Sequence, residues 1–228
     1  MKKIFIKDYD IKKFFILISK KLNIPKKEID NLAQSLIGSS LRGVDSHGVG
    51  LFPHYVMNIE KGSIKNKPKM KYIKKMSSVG LVDADNGFGH SASYFGCEKV
   101  VKLAKKNGIG FVGIFNSTHH GASGAYSLDI AKNDCIGFCF THADSFATPY
   151  NGLSKFHGTN PYSFSAPIDK NKNILVDFAS TSIPWNKVIT AKNRNQSLPI
   201  NVALDKFGKI TTNAKNANSL LLLDGDLF

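Results

Sequence analysis

The chain has 228 residues, 42% of them hydrophobic and 21% charged, a composition that can bury a substantial core and that excludes an intrinsically disordered chain. Its formal net charge of +14 invites a nucleic-acid partner, but of 31 lysines and arginines only Arg42 and Arg194 are arginine. The planar fork that reads phosphates and base edges is therefore nearly missing. The lysines cluster at 2–27 and 61–75 without the interleaved aromatics that stack bases, so the charge reads as solvated surface and no nucleic-acid partner is expected.

No apolar run approaches the ~20 residues of a membrane span. The N-terminal stretch "MKKIFIKDYDIKKFFILISKK" is interrupted by Asp8, Asp10, Lys12 and Lys13, and no small-residue cleavage site follows, so neither a secretory signal nor a membrane role is expected. Three cysteines, Cys97, Cys135 and Cys139, are an odd number at spacings that fit neither a disulfide framework nor a zinc knuckle. Each is expected as a small buried residue in a reducing compartment.

In chain order, apolar positions at Ile11, Phe14, Phe15, Ile18 and Leu22 have helical spacing, as do Ile29, Leu32, Ala33, Leu36 and Ile37. Pro25 divides the two, and "NIPKKE" predicts a cap near Asn23 with the proline just inside the second helix. A third helix is expected over 51–62, ending at Gly62, and then a basic, partly extended connector. "SVGLVDADNGFGH" reads as a short strand entering a glycine-rich loop. Residues 91–106 have helical periodicity, with Ser91 as the expected cap and Gly108 as the terminator. "IGFVGIF", "CIGFCFTHA" and "ILVDFAS" read as strands and "GASGAYSLDIAKN" as a helix. Such alternation predicts an α/β or mixed α+β core with its chemistry at strand ends. The expected division is a helical part over 1–75 and a mixed-sheet domain over 76–228.

Gly108, Gly110 and Gly113 match the dinucleotide fingerprint G-x-G-x-x-G, which works only where the glycines follow a strand and open a helix. Here they follow a helix and run into a strand, so they are not expected to cradle a phosphate. "NSTHHGASGAY" (116–126) places His119 and His120 between a strand and a helix, where open sheets usually hold ligands. A capping or core-filling role is the plainer alternative for either histidine alone. No compact metal-ligand spacing is present, so no metal is expected unless distant residues assemble one. Asp177 follows an apolar strand, where a carboxylate can accept from a sugar hydroxyl or orient a catalytic group, or simply cap a turn. With no G-x-S-x-G elbow and no Walker loop, the chemistry left is proton transfer by histidine near neutral pH. That suits a reaction whose other half is hydride transfer to a cofactor.

"RGVDSHGVG" (42–50), "NSTHHGASG" (116–124), "THADS" (141–145), "GTNPYSFSAP" (158–167) and "LVDFASTSIPWNKV" (175–188) occur in the order found in the type-2 malate/L-lactate dehydrogenase family, which the chain resembles over nearly its whole length. The resemblance implies a non-Rossmann mixed sheet that binds NAD or NADP, an N-terminal helical part, and a cytoplasmic homodimer. It implies a small 2-hydroxy acid and its 2-oxo acid as substrates, among them malate, lactate and ureidoglycolate. His47 and His119 would be the acid/base candidates, with neither ranked above the other. Cofactor contacts would fall at Ala143, Val176, Asp177, Phe178, Ala179 and Lys187, and substrate contacts at Arg42, Thr159 and Asn160. Many members carry an arginine four residues after the first of these histidines, where this chain has Leu51, and glycine is frequent where Asn186 precedes Lys187. Family chains continue well past residue 228, so the C-terminal part of the family fold is expected to be missing. A truncated, non-catalytic binding or scaffold protein is the alternative this raises. His54 is expected to be an ordinary helix residue.

Overall fold

The computed structural model describes residues 5–170 and 172–223. Its contacts divide the chain into one unit of Met1–Gly137 with Ser165–Ile174 and a second of Phe138–Phe164 with Leu175–Phe228. The division expected after residue 75 falls inside the first unit, because the apolar faces of the N-terminal helices and Phe88, at the start of a later helix, share one core.

In the first unit, α1 (Asp8–Lys21) and α2 (Lys26–Leu41) bury Phe15, Ile29, Leu32 and Leu36 in that core. Asn23 does not cap α2: it takes a left-handed conformation (φ 52°) just beyond α1, and Pro25 occupies the N-cap position. Asparagine tolerates that region where most residues do not. Two short 3₁₀ turns, Asp45–His47 and Val49–Leu51, lead into α3 (Phe52–Glu60). Phe52 stacks on Phe15 with ring centroids 3.8 Å apart, which pins α3 against α1.

β1 (Lys71–Lys74) pairs antiparallel with β2 (Val79–Gly87), and β2 pairs parallel with β3 (Phe111–Ser117) across α4 (Gly89–Asn107). β2 alternates, with Val82 and Ala84 fully buried, as a strand covered on one face must. Ser91 is not the cap of α4, since Phe88 holds that position, while Gly108 ends the helix in the left-handed region as expected (φ 81°). Gly110 and Gly113 serve packing. A side chain at Gly110 would meet the Val100 carbonyl of α4 at 2.6 Å, and one at Gly113 would meet Leu81 at 2.9 Å. Gly110 thus lies at the seam between α4 and β3, and Gly113 lies against β2. After β3 come α5 (Gly124–Ala131) and β4 (Gly137–Phe140).

The second unit holds a four-stranded sheet of order β6-β5-β10-β9, built from β5 (Ser145–Ala147), β6 (His157–Gly158), β9 (Ala203–Leu204) and β10 (Ser219–Leu220). Its core gathers Val188, Val202, Ala203 and Leu220 beside α6 (Trp185–Asn193), with Trp185 stacked on Phe146 at 4.9 Å. β7 (Tyr162–Asp169) and β8 (Lys172–Phe178) form a third sheet of order β4-β7-β8. Cys97 is buried as expected, but Cys135 and Cys139 are only half-buried. Both sit where the chain emerges from α5 into β4, a strand that leaves Phe138 and Phe140 exposed. Among the described residues no helix is long and apolar enough to cross a membrane.

Candidate active site

Three local structures in the first unit converge. The 3₁₀ turn carries His47 between Gly43, in the left-handed region (φ 78°), and Gly48. α3 carries His54 and Tyr55, and the segment after β3 carries His119 and His120. The start of α4 supplies the floor: Gly89 N–H donates to the Thr118 hydroxyl at 3.2 Å, and that hydroxyl donates to the Gly87 carbonyl at 2.9 Å. A side chain on Gly89 would collide with the Thr118 carbonyl oxygen and come within 2.7 Å of that of His119. Only glycine lets the helix start press directly on the backbone that presents the imidazoles.

His47 and His119 stack with ring centroids 5.7 Å apart, close enough for both to address one small oxygen atom at hydrogen-bond range. The Tyr55 hydroxyl lies 2.7 Å from His119 Nδ1, and the edge of the Tyr55 ring meets His90 at 4.8 Å. His47 Nδ1 sits 3.1 Å from the Ser46 hydroxyl. His120 points elsewhere, to the Ser123 hydroxyl at 3.2 Å, while its carbonyl accepts from the Tyr126 hydroxyl. His54, expected as an ordinary helix residue, is nonetheless edge-on to His119 at 6.3 Å. Among the described residues no three His, Cys, Asp or Glu groups could hold a metal ion; the imidazoles face one another as rings.

Burial, and for His90, His119 and His120 the neighbouring imidazoles after it, favours the neutral forms of these three and of His47. His119 is lowered by the packing around it and then by His120, His47 and His54, although the residue as a whole keeps more than a third of its surface exposed. Burial lowers His47, and burial with His47 lowers His120 to about 4. His90 is fully buried, with no hydrogen-bond partner for either ring nitrogen among the described residues, and is held well below the ordinary histidine range by burial and then by His119, His120 and His47. A histidine neutral in the fold but free to charge when unfolded contributes stability that is complete above the unfolded value of ~6.5 and is lost as pH falls below it. Unfolding midpoints in urea are therefore expected to drop between pH 7 and pH 5, with His90 alone contributing up to ~1.4 kcal/mol per pH unit. His90→Leu is expected to flatten that slope, and an unchanged slope would assign the effect to other groups.

Arg42 stands apart from the imidazoles. It lines a cleft of about 500 Å³ with Lys12, Asp30, Gln34, Tyr94 and Lys132, and none of the clustered histidines lines it. Leu51 closes the second 3₁₀ turn and packs against the apolar core. In the second unit, Ala143 N–H donates to Asn160 Oδ1 at 3.3 Å, and Ser180 N–H donates to the Thr159 carbonyl at 2.8 Å. Ala143, Thr159, Asn160 and the chain just past Ala179 thus meet. Val176 and Phe178 are exposed on β8 beside an exposed Asp177, and Lys187 is exposed in the first turn of α6. Sequence reasoning passed over Tyr55 and His90. Tyr55 had a readable signal, since Phe52, Tyr55, Val56 and Ile59 follow the helical period and so share the buried face of α3. His90 had none.

A parallel β-α-β unit whose second strand leads into paired imidazoles defines an α/β protein with a candidate site at a strand end. The chain belongs to the malate/L-lactate dehydrogenase family, whose description matches residues 6–225. It is 34% identical over 215 residues to the malate dehydrogenase of Pyrococcus abyssi, covering 93% of this chain and 59% of that protein. It is 31% identical over 208 residues to the NAD(+)-dependent ureidoglycolate dehydrogenase of Escherichia coli K12, covering 90% and 60%. The crystal structure of malate dehydrogenase from Entamoeba histolytica superposes with a TM-score of 0.92 at 30% identity, covering 98% of this chain and 64% of that one. The names of the relatives include both NAD(+) and NADP(+) enzymes. The chain spans about three fifths of the length of the curated relatives it matches.

Proposed function

We propose that this protein is an NAD- or NADP-dependent oxidoreductase that interconverts a small 2-hydroxy acid and its 2-oxo acid. The observation that carries the reading is the stacked pair of His47 and His119, neutral at neutral pH, at the carboxyl end of β3. An imidazole held neutral can take the hydroxyl proton of an alcohol as its C–O bond becomes a carbonyl, and can return it in the reverse direction. The nicotinamide supplies the complementary step, accepting the C2 hydrogen with its electron pair. Exposed Val176 and Phe178 offer an apolar surface for a flat ring, Asp177 an acceptor for sugar hydroxyls, and Ala143, Ala179 and Lys187 the remaining cofactor contacts.

Thr159 and Asn160 are the proposed polar contacts to substrate. Arg42, lining a separate cleft, is supported less by its position, and Leu51 offers no charge for a carboxylate. A homodimer in the cytoplasm belongs to the same reading. The test is a fluorescence titration with NADH and NADPH, followed by a screen of malate, lactate, sulfolactate and ureidoglycolate with both cofactors. Saturable binding of one cofactor and turnover of one acid are expected. Failure to bind either would favour the non-catalytic binding or scaffold protein.

A further inference from the structure

We propose that Tyr55 is a positioning residue that fixes His119 as the imidazole with its proton on Nε2, so that His119 offers a hydrogen-bond donor to the substrate oxygen and His47 carries the proton. This division of roles rests on the dehydrogenase reading; the tautomer itself does not. Tyr55 is 1% exposed, and its hydroxyl makes one hydrogen bond among the described residues, the 2.7 Å contact with His119 Nδ1. If Nδ1 carried the proton, it would donate to the phenol oxygen and the phenol proton would be buried without an acceptor. A buried donor left unpaired is the costlier arrangement by ~1–3 kcal/mol. Burial also pushes the phenol's ionisation far above its ordinary range, so the hydroxyl keeps its proton and donates.

With Nδ1 accepting and the ring neutral, the one proton of His119 resides on Nε2. The contact with Tyr55 engages Nδ1, while Nε2 makes no hydrogen bond among the described residues and the residue as a whole stays more than a third exposed, so Nε2 is the nitrogen left for a substrate oxygen. The titratable groups around His119 are His47, His54, His90, His120 and Tyr55; none of these neighbours is a carboxylate that would favour a charged ring. An Nε2 that already bears hydrogen cannot accept the alcohol proton, but it can stabilise negative charge developing on the oxygen. His47 is not so constrained. Its Nδ1 contacts the Ser46 hydroxyl, a group that carries both a donor and acceptor lone pairs, so this contact does not by itself fix a tautomer and Nε2 can be unprotonated when the hydroxyl proton leaves and protonated when it returns.

The tautomer can be measured without turnover. In the full chain labelled with ¹⁵N-histidine, long-range ¹H–¹⁵N correlation at pH 7 is expected to show His119 protonated at Nε2 only, assigned by loss of its signals in His119→Gln. Tyr55→Phe, which keeps the ring and the core packing, is expected to make the His119 pattern a mixture of tautomers. In that variant kcat is expected to fall by at least ~10-fold, as when a catalytic histidine loses its tautomer, with the pH profile altered and the KM for cofactor nearly unchanged. A wild-type spectrum with the proton on Nδ1, a doubly protonated ring, or a His119 pattern unmoved in Tyr55→Phe would overturn the proposal. Should Tyr55→Phe fail to fold, the wild-type spectrum decides alone. A protein that shows the expected tautomer but turns over no 2-hydroxy acid would sink the dehydrogenase reading instead.

Discussion

His119→Ala and His47→Ala are each expected to lower turnover by ~10²-fold or more, the size of effect that follows from removing a general acid or base or a preorganised donor. On the proposed division of roles the two losses should differ in kind. If His47 is the proton carrier, alcohol oxidation in its variant should regain rate as pH rises and solvent hydroxide substitutes for the missing base. If His119 is a donor to the oxygen, no rise in pH should restore its variant. Both rings stack at 5.7 Å, and their effects on turnover should therefore be non-additive in the double variant. Turnover by either variant within a few-fold of the parent would remove that residue from the catalytic pair.

Gly89→Ala is expected to destabilise the protein by on the order of 1–3 kcal/mol and to impair turnover along with it. Helix propensity alone predicts the opposite sign, since alanine is favoured over glycine within a helix by ~1 kcal/mol. The sign is set by the approach of α4 to the next layer, where an added methyl group would strike the Thr118 carbonyl and crowd that of His119. Backbone cannot rotate aside as a flexible side chain can, so the strain falls on the segment that presents the imidazole. Urea unfolding with a parallel activity assay checks both halves. A variant more stable than the parent would show that the start of α4 is free to move.

The helices α1, α2 and α4 and the strands β2 and β3 were legible because each repeats its apolar residues at the period of its own backbone. Gly108 was legible as a helix end because the left-handed conformation it takes is one that glycine adopts without strain. The boundaries that went astray were those where one residue type serves two ends. Asn23 has the side chain of a cap but the backbone of a chain reversal, and Ser91 is buried inside α4, where Asn31 of α2 donates to its hydroxyl at 3.1 Å. The strands of β5, β6, β9 and β10 are two or three residues long, too short for any period to register, and α6 was passed over within a polar stretch.

Residue order alone determined the family resemblance, the glycine fingerprint's failure as a phosphate loop, and the two imidazoles worth naming, because each depends on which residues follow one another along the chain. Tertiary structure alone decided what those imidazoles can do. Tyr55 and His119 are 64 positions apart yet share one hydrogen bond, His90 is silent in sequence yet fully buried behind them, and Arg42 lies near His47 in sequence but lines another cleft. Periodicity reports only which side of an element faces inward. The tautomer and charge of a histidine are set by the particular atoms and the solvent around its ring, and those come from segments that meet only when the chain packs.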